Sequence, residues 1–262
     1  MQTDTASHSP FNGSVLPGPR DLRSIALLLD VDGTIVDMAI TPGSVTVSDA
    51  LRASLRELHK RCDGALALVS GRLIGDIDHL FAPLRLPAIG GHGAQMRPSA
   101  ESPIHARTAD AIGDALRKLV TAAAATADPR VIVEDKSSSL AVHYRLAPHI
   151  EQPLKTKIAA IIAHLGVHDL EILHGKEVIE IKSTHFSKGV AVRELMKLPP
   201  FQNRKPVFLG DDTTDETVFE ILPPLGGLGY SVERNMRGAN GMFGSPHDVR
   251  DWLSSLCGNA GA

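Results

Sequence analysis

The stretch Ser24–Asp37, SIALLLDVDGTIVD, determines how the rest of the chain is interpreted. Its run Ile25–Leu29 is short, continuous and apolar, which is typical of a strand buried on both faces. The run ends in two carboxylates, Asp30 and Asp32, followed at once by a Gly-Thr pair. Two carboxylates this close together are costly to bury unless a cation compensates their charge. Because Mg²⁺ takes oxygen ligands, often one or two carboxylates plus a substrate phosphate, the stretch predicts a magnesium site.

A second apolar run, Ala65–Val69, ends in the tripeptide Ser-Gly-Arg at 70–72. A helix predicted over Val47–Cys62, with Ser48 as its N-cap, connects the two runs. A strand–helix–strand pattern implies parallel strands with a right-handed crossover, and ligands of such sheets bind at the carboxyl ends of the strands. We therefore expect Ser70 at the same edge as Asp30, where its hydroxyl can donate to a phosphoryl oxygen.

A third buried run, Pro206–Leu209, ends in the acidic segment GDDTTDE at 210–216. Its acidic side chains would repel one another without a cation. Asp211 is best placed to bind a metal directly, and Asp212 and Asp215 can act directly or through water. A calcium loop of the EF-hand type is excluded, because the ligand spacing does not fit and no helix precedes the loop.

Lys188 begins a helix predicted over Ser187–Lys197, with Ser187 as N-cap and with Val190 and Leu195 facing inward. A cation is unfavourable at the start of a helix, so its position indicates a compensating anion nearby. His92, in the Gly-rich segment Leu86–Met96, could also face the site, although a lone histidine is more often structural.

The middle of the chain, from about residue 106, predicts a small α+β unit with helices on one side of an antiparallel sheet. We interpret it as a cap inserted into the larger domain. An ordinary solvated face is the alternative for the open side of this sheet, but acids, donors and a histidine together suit a ligand with many hydroxyl groups. The predicted helices are Ala109–Ala125 and Glu151–Leu165, and the strands are Val131–Lys136, Ser139–Leu146, Glu171–His174 and Val178–Lys182. The open face would present Glu134, Lys136, His143, Arg145 and Glu180, with Lys176 in an adjoining turn.

The motifs DxDGT, SGR, FSKG and GDDTTDE, taken together, resemble those of the haloacid dehalogenase superfamily of phosphotransferases. Within it, the chain is similar to the trehalose-6-phosphate phosphatase family along nearly its whole length after the N-terminal segment. The stretches that carry this likeness are EDKSSSLAVHYR at 134–145, GKEVIE at 175–180 and GDDTTDE at 210–216.

The resemblance implies an α/β fold with a doubly wound, Rossmann-like parallel-sheet core of the haloacid dehalogenase type and an inserted α+β cap domain. The expected core domain comprises residues 22–105 and 186–262, and the cap comprises residues 106–185. Residues 1–21, rich in Ser, Pro, Gly and Thr, are expected to form a flexible tail.

The resemblance also implies a Mg²⁺-dependent phosphatase that forms an aspartyl phosphate on Asp30, with Asp32 as general acid and then general base. Thr34, Ser70 and Lys188 would stabilise the transferring phosphoryl group. The expected metal-binding residues are Asp30, Asp32 through its backbone carbonyl, Asp211, Asp212 and Asp215. The expected substrate-binding residues are Arg72, Glu134, Lys136, His143, Arg145, Lys176 and Glu180.

Composition and charge indicate which classes of partner and which cellular compartment to expect. A net charge of −3 without a long basic block argues against nucleic acid. No apolar run approaches the ~20 residues of a membrane span, and the N-terminus lacks the apolar centre of a signal peptide. Cys62 and Cys257 match no metal or disulfide pattern and fit a reducing compartment. We expect a cytoplasmic monomer whose partner is a small sugar phosphate, with no membrane contact.

Several alternatives stay open at this point. Phosphatases of sucrose 6-phosphate or mannosylglycerate phosphate would differ only in their cap contacts. A sugar phosphomutase would use the same core but must return the phosphoryl group to the sugar. A non-catalytic sugar-phosphate sensor has no use for a nucleophile, so Asp30, Asp32 and Lys188 argue against it.

Overall fold

The computed structural model describes residues 11–13, 22–38, 45–106, 112–136, 139–175 and 177–258. The chain divides into two compact units: unit 1 runs to His105 and resumes at Ser187, and unit 2 is Ala106–Phe186. Among the described residues, no helix has the length and apolar character needed to span a membrane.

The regular elements follow one another along the chain as thirteen strands and seven α-helices in the described residues. The strands are β1 (Phe11–Gly13), β2 (Ile25–Leu29), β3 (Leu66–Val69), β4 (Ala88–Gly90), β5 (Gln95–Arg97), β6 (His105–Ala106), β7 (Ile132–Asp135), β8 (Ser139–His143), β9 (Leu170–Gly175), β10 (Val178–Ser183), β11 (Lys205–Gly210), β12 (Leu228–Val232) and β13 (Gly241–Phe243). The α-helices are α1 (Asp49–Arg61), α2 (Ile74–Phe81), α3 (Asp114–Ala127), α4 (Glu151–Leu165), α5 (Lys188–Leu195), α6 (Glu216–Phe219) and α7 (Pro246–Cys257).

Unit 1 is organised around a sheet in the order β1-β13-β12-β11-β2-β3-β4-β5-β6. The strands from β13 to β4 are all parallel, whereas β1 and β5 run antiparallel to their neighbours. Every residue of β2 and β3 is buried, which explains why these strands are continuous apolar runs. The predicted parallel α/β core is confirmed, and β11, β2 and β3 are direct neighbours whose carboxyl ends share one edge.

Helix α1 follows its predicted pattern. The Ser48 hydroxyl accepts a hydrogen bond from the backbone N–H of Leu51 at 3.2 Å, and Leu51, Leu55 and Leu58 are buried. The helix begins at Asp49, two residues after the predicted start, because Ser48 is its N-cap. At the other end of the chain, Trp252 on α7 packs on the core but stays half-buried rather than inside it.

Unit 2 contains a four-stranded antiparallel sheet, as predicted, and its strand order is β7-β8-β10-β9. One face of this sheet and the buried stripes of α3 and α4 form a separate apolar cluster. Residues opposite each other in an antiparallel pair lie on the same face. The register therefore places Glu134, Ala141 and Glu180 together on the other face, away from Ile179 and Ile181.

Several details of local structure differ from the prediction. Phe11–Gly13, inside the segment 1–21 that was expected to be a flexible tail, pair with β13 as an antiparallel edge strand, whereas residues 1–10 and 14–21 lie outside the described residues. Helix α3 begins at Asp114, not at Ala109, and residues 107–111 lie outside the described residues. Val190, expected to face inward, is 42% exposed, because α5 buries the stripe formed by Lys188, Ala191, Val192 and Leu195.

The predicted strand over Ser139–Leu146 is too long. Strand β8 ends at His143, and the chain then turns, so Leu146 is 61% exposed and does not share the buried face of Leu140 and Val142. Alternation in the sequence continues past the end of the strand, and periodicity alone could not locate that end.

Cys62 and Cys257 are both free thiols. Cys62 is fully buried, and burial raises the pKa of its thiol to about 11. A thiol in this environment stays protonated and unreactive, which agrees with a structural role.

Arg97 on β5 provides a test of how the edge of the sheet is stabilised. Its side chain is 0% exposed and donates to both carboxylate oxygens of Asp78 at 2.5 and 2.6 Å and to the Leu86 carbonyl at 2.7 and 3.1 Å. We expect Arg97→Met to lower the free energy of unfolding by about 3 kcal/mol, because these acceptors lose a buried donor. Urea unfolding followed by circular dichroism measures the change.

Arg85→Met is the matched control for this prediction. Arg85 lies 3.6 Å from the same carboxylate but is 51% exposed, so its removal should cost less than about 1 kcal/mol. Equal losses for Arg85→Met and Arg97→Met would contradict the role of the buried arginine.

Candidate active site

Side chains from loops far apart in the sequence meet at the carboxyl edge of the parallel sheet. Asp30 follows β2, Ser70 follows β3 and Asp211 follows β11. Because these three strands are parallel neighbours, their ends lie side by side. This arrangement confirms the expectation that Ser70 and Asp30 share an edge.

Lys188 lies at the centre of this cluster. Its ammonium donates to Oδ1 of Asp30 at 2.8 Å and to Oδ1 of Asp215 at 2.7 Å, and its side chain is only 3% exposed. Ser187 caps α5 by accepting from the Val190 N–H at 3.1 Å, which fixes where the helix starts. The anion that the sequence predicted beside Lys188 is therefore this pair of buried carboxylates.

The buried carboxylates have perturbed pKa values. Burial raises the pKa of Asp30 to about 7, although Lys188 opposes the shift. Burial likewise raises the pKa of Asp215 to about 7 and of Asp211 to about 6. Burial lowers the pKa of Lys188, but Asp215 and Asp30 more than offset this effect, and the pKa is raised overall. When all three are ionised, these carboxylates outnumber the single ammonium of Lys188 and would leave an excess of two negative charges in a largely buried site.

A divalent cation fits this charge excess. Asp30, Asp211 and Asp215 can each offer one oxygen, and these oxygens lie within 4.8 Å of one another. A donor set made only of carboxylate oxygens suits a hard cation rather than a soft one. The acidic triad is therefore able to hold a metal ion.

The turn Asp30–Thr34 is shaped to bring these groups together. Gly33 has a φ of 79°, in the left-handed region that favours glycine, and a Cβ there would lie 2.5 Å from Cγ of Asp211. Only glycine allows the Asp211 carboxylate to approach this closely. The Thr34 hydroxyl lies 3.0 Å from an oxygen of Asp30 and 3.1 Å from one of Asp211, so it bridges the two loops.

Asp32 is not part of the acidic triad. Both of its carboxylate oxygens accept from Arg72, from Nε at 2.6 Å and from Nη2 at 2.7 Å. This two-pronged ion pair links the loops after β2 and β3, and it was not foreseen, because nothing in the sequence relates Asp32 to Arg72. Ser70 is buried, and its hydroxyl accepts from the backbone N–H of Arg72 at 3.1 Å.

The structure separates the two remaining acids of the loop after β11. Asp215 is 0% exposed and belongs to the triad, while its Oδ2 accepts from the backbone N–H of Asp212 at 3.0 Å. Asp212 is exposed, and its carboxylate accepts from the Thr214 hydroxyl at 3.3 Å. Burial thus distinguishes two residues that the sequence left equivalent.

The open face of the unit 2 sheet carries a hydrogen-bonded network. Glu134 and His143 lie 3.0 Å apart, and the hydrogen bond from His143 lowers the pKa of Glu134. The Ser139 hydroxyl donates to Oε1 of Glu180 at 2.6 Å, and the Lys136 ammonium lies 3.6 Å from the same oxygen.

Of the other predicted substrate-binding residues, Arg72 belongs to unit 1, where it pairs with Asp32. Arg145 donates to Glu177 at 2.8 Å, after the end of β8. Lys176 falls outside the described residues. The contacts of Ser139 with Glu180 and of Glu177 with Arg145 were not predicted, although both residues lie inside the stretches quoted for the family resemblance.

Comparisons with known proteins show the family of this chain. Residues 28–250 match the family model described as trehalose-phosphatase. A probable trehalose-phosphate phosphatase of Sinorhizobium fredii is 41% identical over 213 residues, covering 81% of this chain and 79% of that protein. The trehalose-6-phosphate phosphatase of Escherichia coli is 36% identical over 232 residues, covering 88% of this chain and 86% of that protein.

Solved structures share the fold. The C-terminal domain of Candida albicans trehalose-6-phosphate phosphatase superposes with a TM-score of 0.76 at 20% identity, covering 92% of this chain and 95% of that one. A trehalose-6-phosphate phosphatase related protein gives a TM-score of 0.69 at 24% identity, covering 88% and 96%. At these identities the likenesses show the fold alone, and that fold agrees with the predicted α/β core and inserted α+β unit. Because the family model matches residues 28–250 and a relative 41% identical covers 81% of the chain, we conclude that this chain belongs to the trehalose-phosphatase family.

Proposed function

We propose that this protein hydrolyses trehalose 6-phosphate to trehalose and phosphate, with Mg²⁺ and through an aspartyl-phosphate intermediate on Asp30. The observation that carries the proposal is the buried contact of the Lys188 ammonium with Asp30 and Asp215, at 2.8 and 2.7 Å. An ammonium in this position can share the charge of a phosphoryl group while it keeps the attacking carboxylate in place. Membership of the trehalose-phosphatase family supports the choice of substrate.

In the first half of the reaction, an oxygen of Asp30 attacks the phosphorus atom, and the bond between phosphorus and the sugar oxygen breaks. Asp32 donates a proton to that oxygen, so that trehalose leaves as an alcohol. Thr34, Ser70 and Lys188 stabilise the charge on the transferring oxygens, which is the main task in phosphoryl transfer.

In the second half, a water molecule attacks the phosphorus atom of the aspartyl phosphate. Asp32 takes a proton from that water, and the Asp30 carboxylate is restored as phosphate leaves. Arg72 holds both oxygens of Asp32, and we propose that it also binds the substrate.

The Mg²⁺ ion would be held by Asp30, Asp211 and Asp215, together with the backbone carbonyl of Asp32, whereas Asp212 would act only through water. When bound, the ion offsets the negative charge of the phosphoryl oxygens and of the acidic triad. The excess of carboxylates over ammonium groups among the buried residues supports this assignment.

We further propose that the open face of the unit 2 sheet binds the hydroxyl groups of the sugar. Its hydrogen-bonded acids and cations offer both acceptors and donors, which a polyhydroxylated ligand requires. The residues proposed for this role are Glu134, Lys136, His143, Arg145, Lys176 and Glu180.

A panel of sugar phosphates tests the activity directly. We expect phosphate release from trehalose 6-phosphate to exceed release from sucrose 6-phosphate, glucose 6-phosphate and mannosylglycerate phosphate by about a hundredfold. Asp30→Asn should lower the rate by at least about a thousandfold, because the amide cannot form the covalent intermediate. Faster release from another sugar phosphate would exclude the proposed substrate, and transfer of the phosphoryl group to a second sugar position would indicate a mutase.

Asp211→Asn tests the metal assignment without relying on activity. We expect the melting temperature of the wild type to rise on addition of Mg²⁺ and that of Asp211→Asn to be nearly unaffected. Without metal, Asp211→Asn should melt higher than the wild type, because a half-buried negative charge has been removed from a cluster with an excess of them.

Asp76→Asn, on the exposed side of α2, is the control for this experiment and should respond to Mg²⁺ as the wild type does. An undiminished Mg²⁺ response in Asp211→Asn would rule out its carboxylate as a ligand.

Glu180→Gln tests the sugar-binding face. The amide keeps the shape of the side chain but loses the charge, so KM for trehalose 6-phosphate should rise about tenfold. Hydrolysis of p-nitrophenyl phosphate, which has no sugar, should stay at the wild-type rate. Glu151→Gln, on α4 and paired with Lys155, is the matched control. Equal losses of Glu180→Gln on both substrates would argue against a sugar contact.

A further inference from the structure

The turn that follows β4 has an unusual backbone. Its residues Gly91, His92 and Gly93 all have positive φ angles, of 57°, 52° and 105°. Positive φ is uncommon for a residue with a side chain and persists only where the surrounding structure maintains it. Because β3 and β4 are parallel neighbours, this turn lies at the same sheet edge as Ser70. The conformation of His92 therefore requires an explanation from its contacts.

Backbone hydrogen bonds tie this turn to the loop that follows β3. The N–H of His92 donates to the carbonyl of Ser70 at 3.2 Å, and the N–H of Gly91 donates to the carbonyl of Arg72 at 2.8 Å. The two bonds flank Gly71. Ser70, proposed to contact the phosphoryl group, and Arg72, which holds Asp32, thus share one loop, and hydrogen bonds from the turn fix that loop on both sides of Gly71.

The imidazole ring of His92 occupies the space beside Gly71. His92 is 8% exposed, and a Cβ at position 71 would lie only 2.5 Å from Cε1 of its ring. A side chain at position 71 and the ring in its present place are therefore incompatible.

The other side of the same turn packs against the start of α5. A Cβ at Gly93 would lie 2.8 Å from the carbonyl carbon of Ser187 and 3.3 Å from Cβ of Ala191. Ser187 is the N-cap of α5 and immediately precedes Lys188. One turn therefore contacts both the Ser70–Arg72 loop and the segment that places Lys188.

We propose that His92 is a positioning residue for phosphoryl transfer: its ring packs on Gly71 and, with the backbone bonds of the turn, holds Ser70 and Arg72 in place relative to Asp30. The inference rests on the proposed function, since it concerns the same reaction. A small displacement of such groups is enough to slow an enzyme severely. The Gly-Gly-His-Gly turn at 90–93 accordingly supports the loop after β3 and the start of α5.

A double-mutant cycle between Gly71→Ala and His92→Asn tests this proposal. Asparagine tolerates positive φ, so His92→Asn removes the ring without imposing a new backbone conformation. We expect Gly71→Ala to lower kcat at least about thirtyfold, because the new methyl group displaces the loop. His92→Asn should lower kcat about fivefold to tenfold. The double variant should recover to within about threefold of His92→Asn, because the smaller side chain makes room for the methyl group.

Two substrates and a control complete the test. The losses should appear in kcat for both trehalose 6-phosphate and p-nitrophenyl phosphate, with KM for trehalose 6-phosphate changed by less than about twofold, because binding of the sugar is not the step affected. His79→Asn, on the exposed side of α2, should behave as the wild type. Melting temperatures establish that each variant is folded. If Gly71→Ala does not fold, His92→Asn alone tests the proposal. A lowered kcat with unchanged KM, in a variant that melts normally, supports the positioning role, and an unchanged kcat contradicts it.

The outcomes separate the two proposals. If the effects of the single substitutions simply multiply in the double variant, or if Gly71→Ala retains wild-type kcat, the positioning role is overturned and the proposed function stands. A wild-type protein inactive on both substrates would overturn both. A raised KM with unchanged kcat in His92→Asn would assign the ring to substrate binding and contradict the positioning role.

Discussion

The buried contact between the Lys188 ammonium and the carboxylates of Asp30 and Asp215 is the interaction on which the site depends. Three aspartates converge where water is largely excluded, and their mutual repulsion would drive them apart without a positive charge among them. Lys188 supplies one such charge at 2.8 and 2.7 Å. Its position at the first turn of α5, unfavourable for a cation on its own, is stable because the carboxylates more than offset the helix dipole.

The parallel sheet explains how residues so far apart in the chain meet. Strands β11, β2 and β3 are buried on both faces and adjacent, so their carboxyl ends present Asp211, Asp30 and Ser70 side by side. Close approach then depends on Gly33, whose positive φ and lack of a Cβ leave room for the Asp211 carboxylate. The rigid core thus sets the geometry, and short turns with special backbone angles bring the functional groups into contact.

Unit 2 meets a different constraint, because its polar face must satisfy its own buried charges. Ser139, Glu180 and Lys136 form one such network, and Lys182 donates to the carbonyl of Phe186 at 2.8 Å and pairs with Glu171. Buried charges that lack partners are strongly unfavourable, so these pairs keep the face intact. Groups held in this way offer fixed donors and acceptors to a ligand with many hydroxyl groups.

The amino-acid sequence by itself determined the strands that carry the site, their parallel arrangement and most of the residues at the edge of the sheet. Continuous apolar runs that end in Asp30, Ser70 and Asp211 are a local signal, and strand topology follows from the crossover between them. The predicted ends of helices and strands were less accurate, as Leu146 and the start of α3 at Asp114 illustrate, because periodicity does not record where an element begins or stops. Only the tertiary structure decided which partners the charged groups choose. The structure decided that Asp215, and not Asp212, is buried. It also paired groups that are distant in the chain, in the two-pronged ion pair of Arg72 with Asp32 and in the packing of His92 on Gly71. Such pairings depend on distances across the folded core, to which the order of residues along the chain gives no direct access.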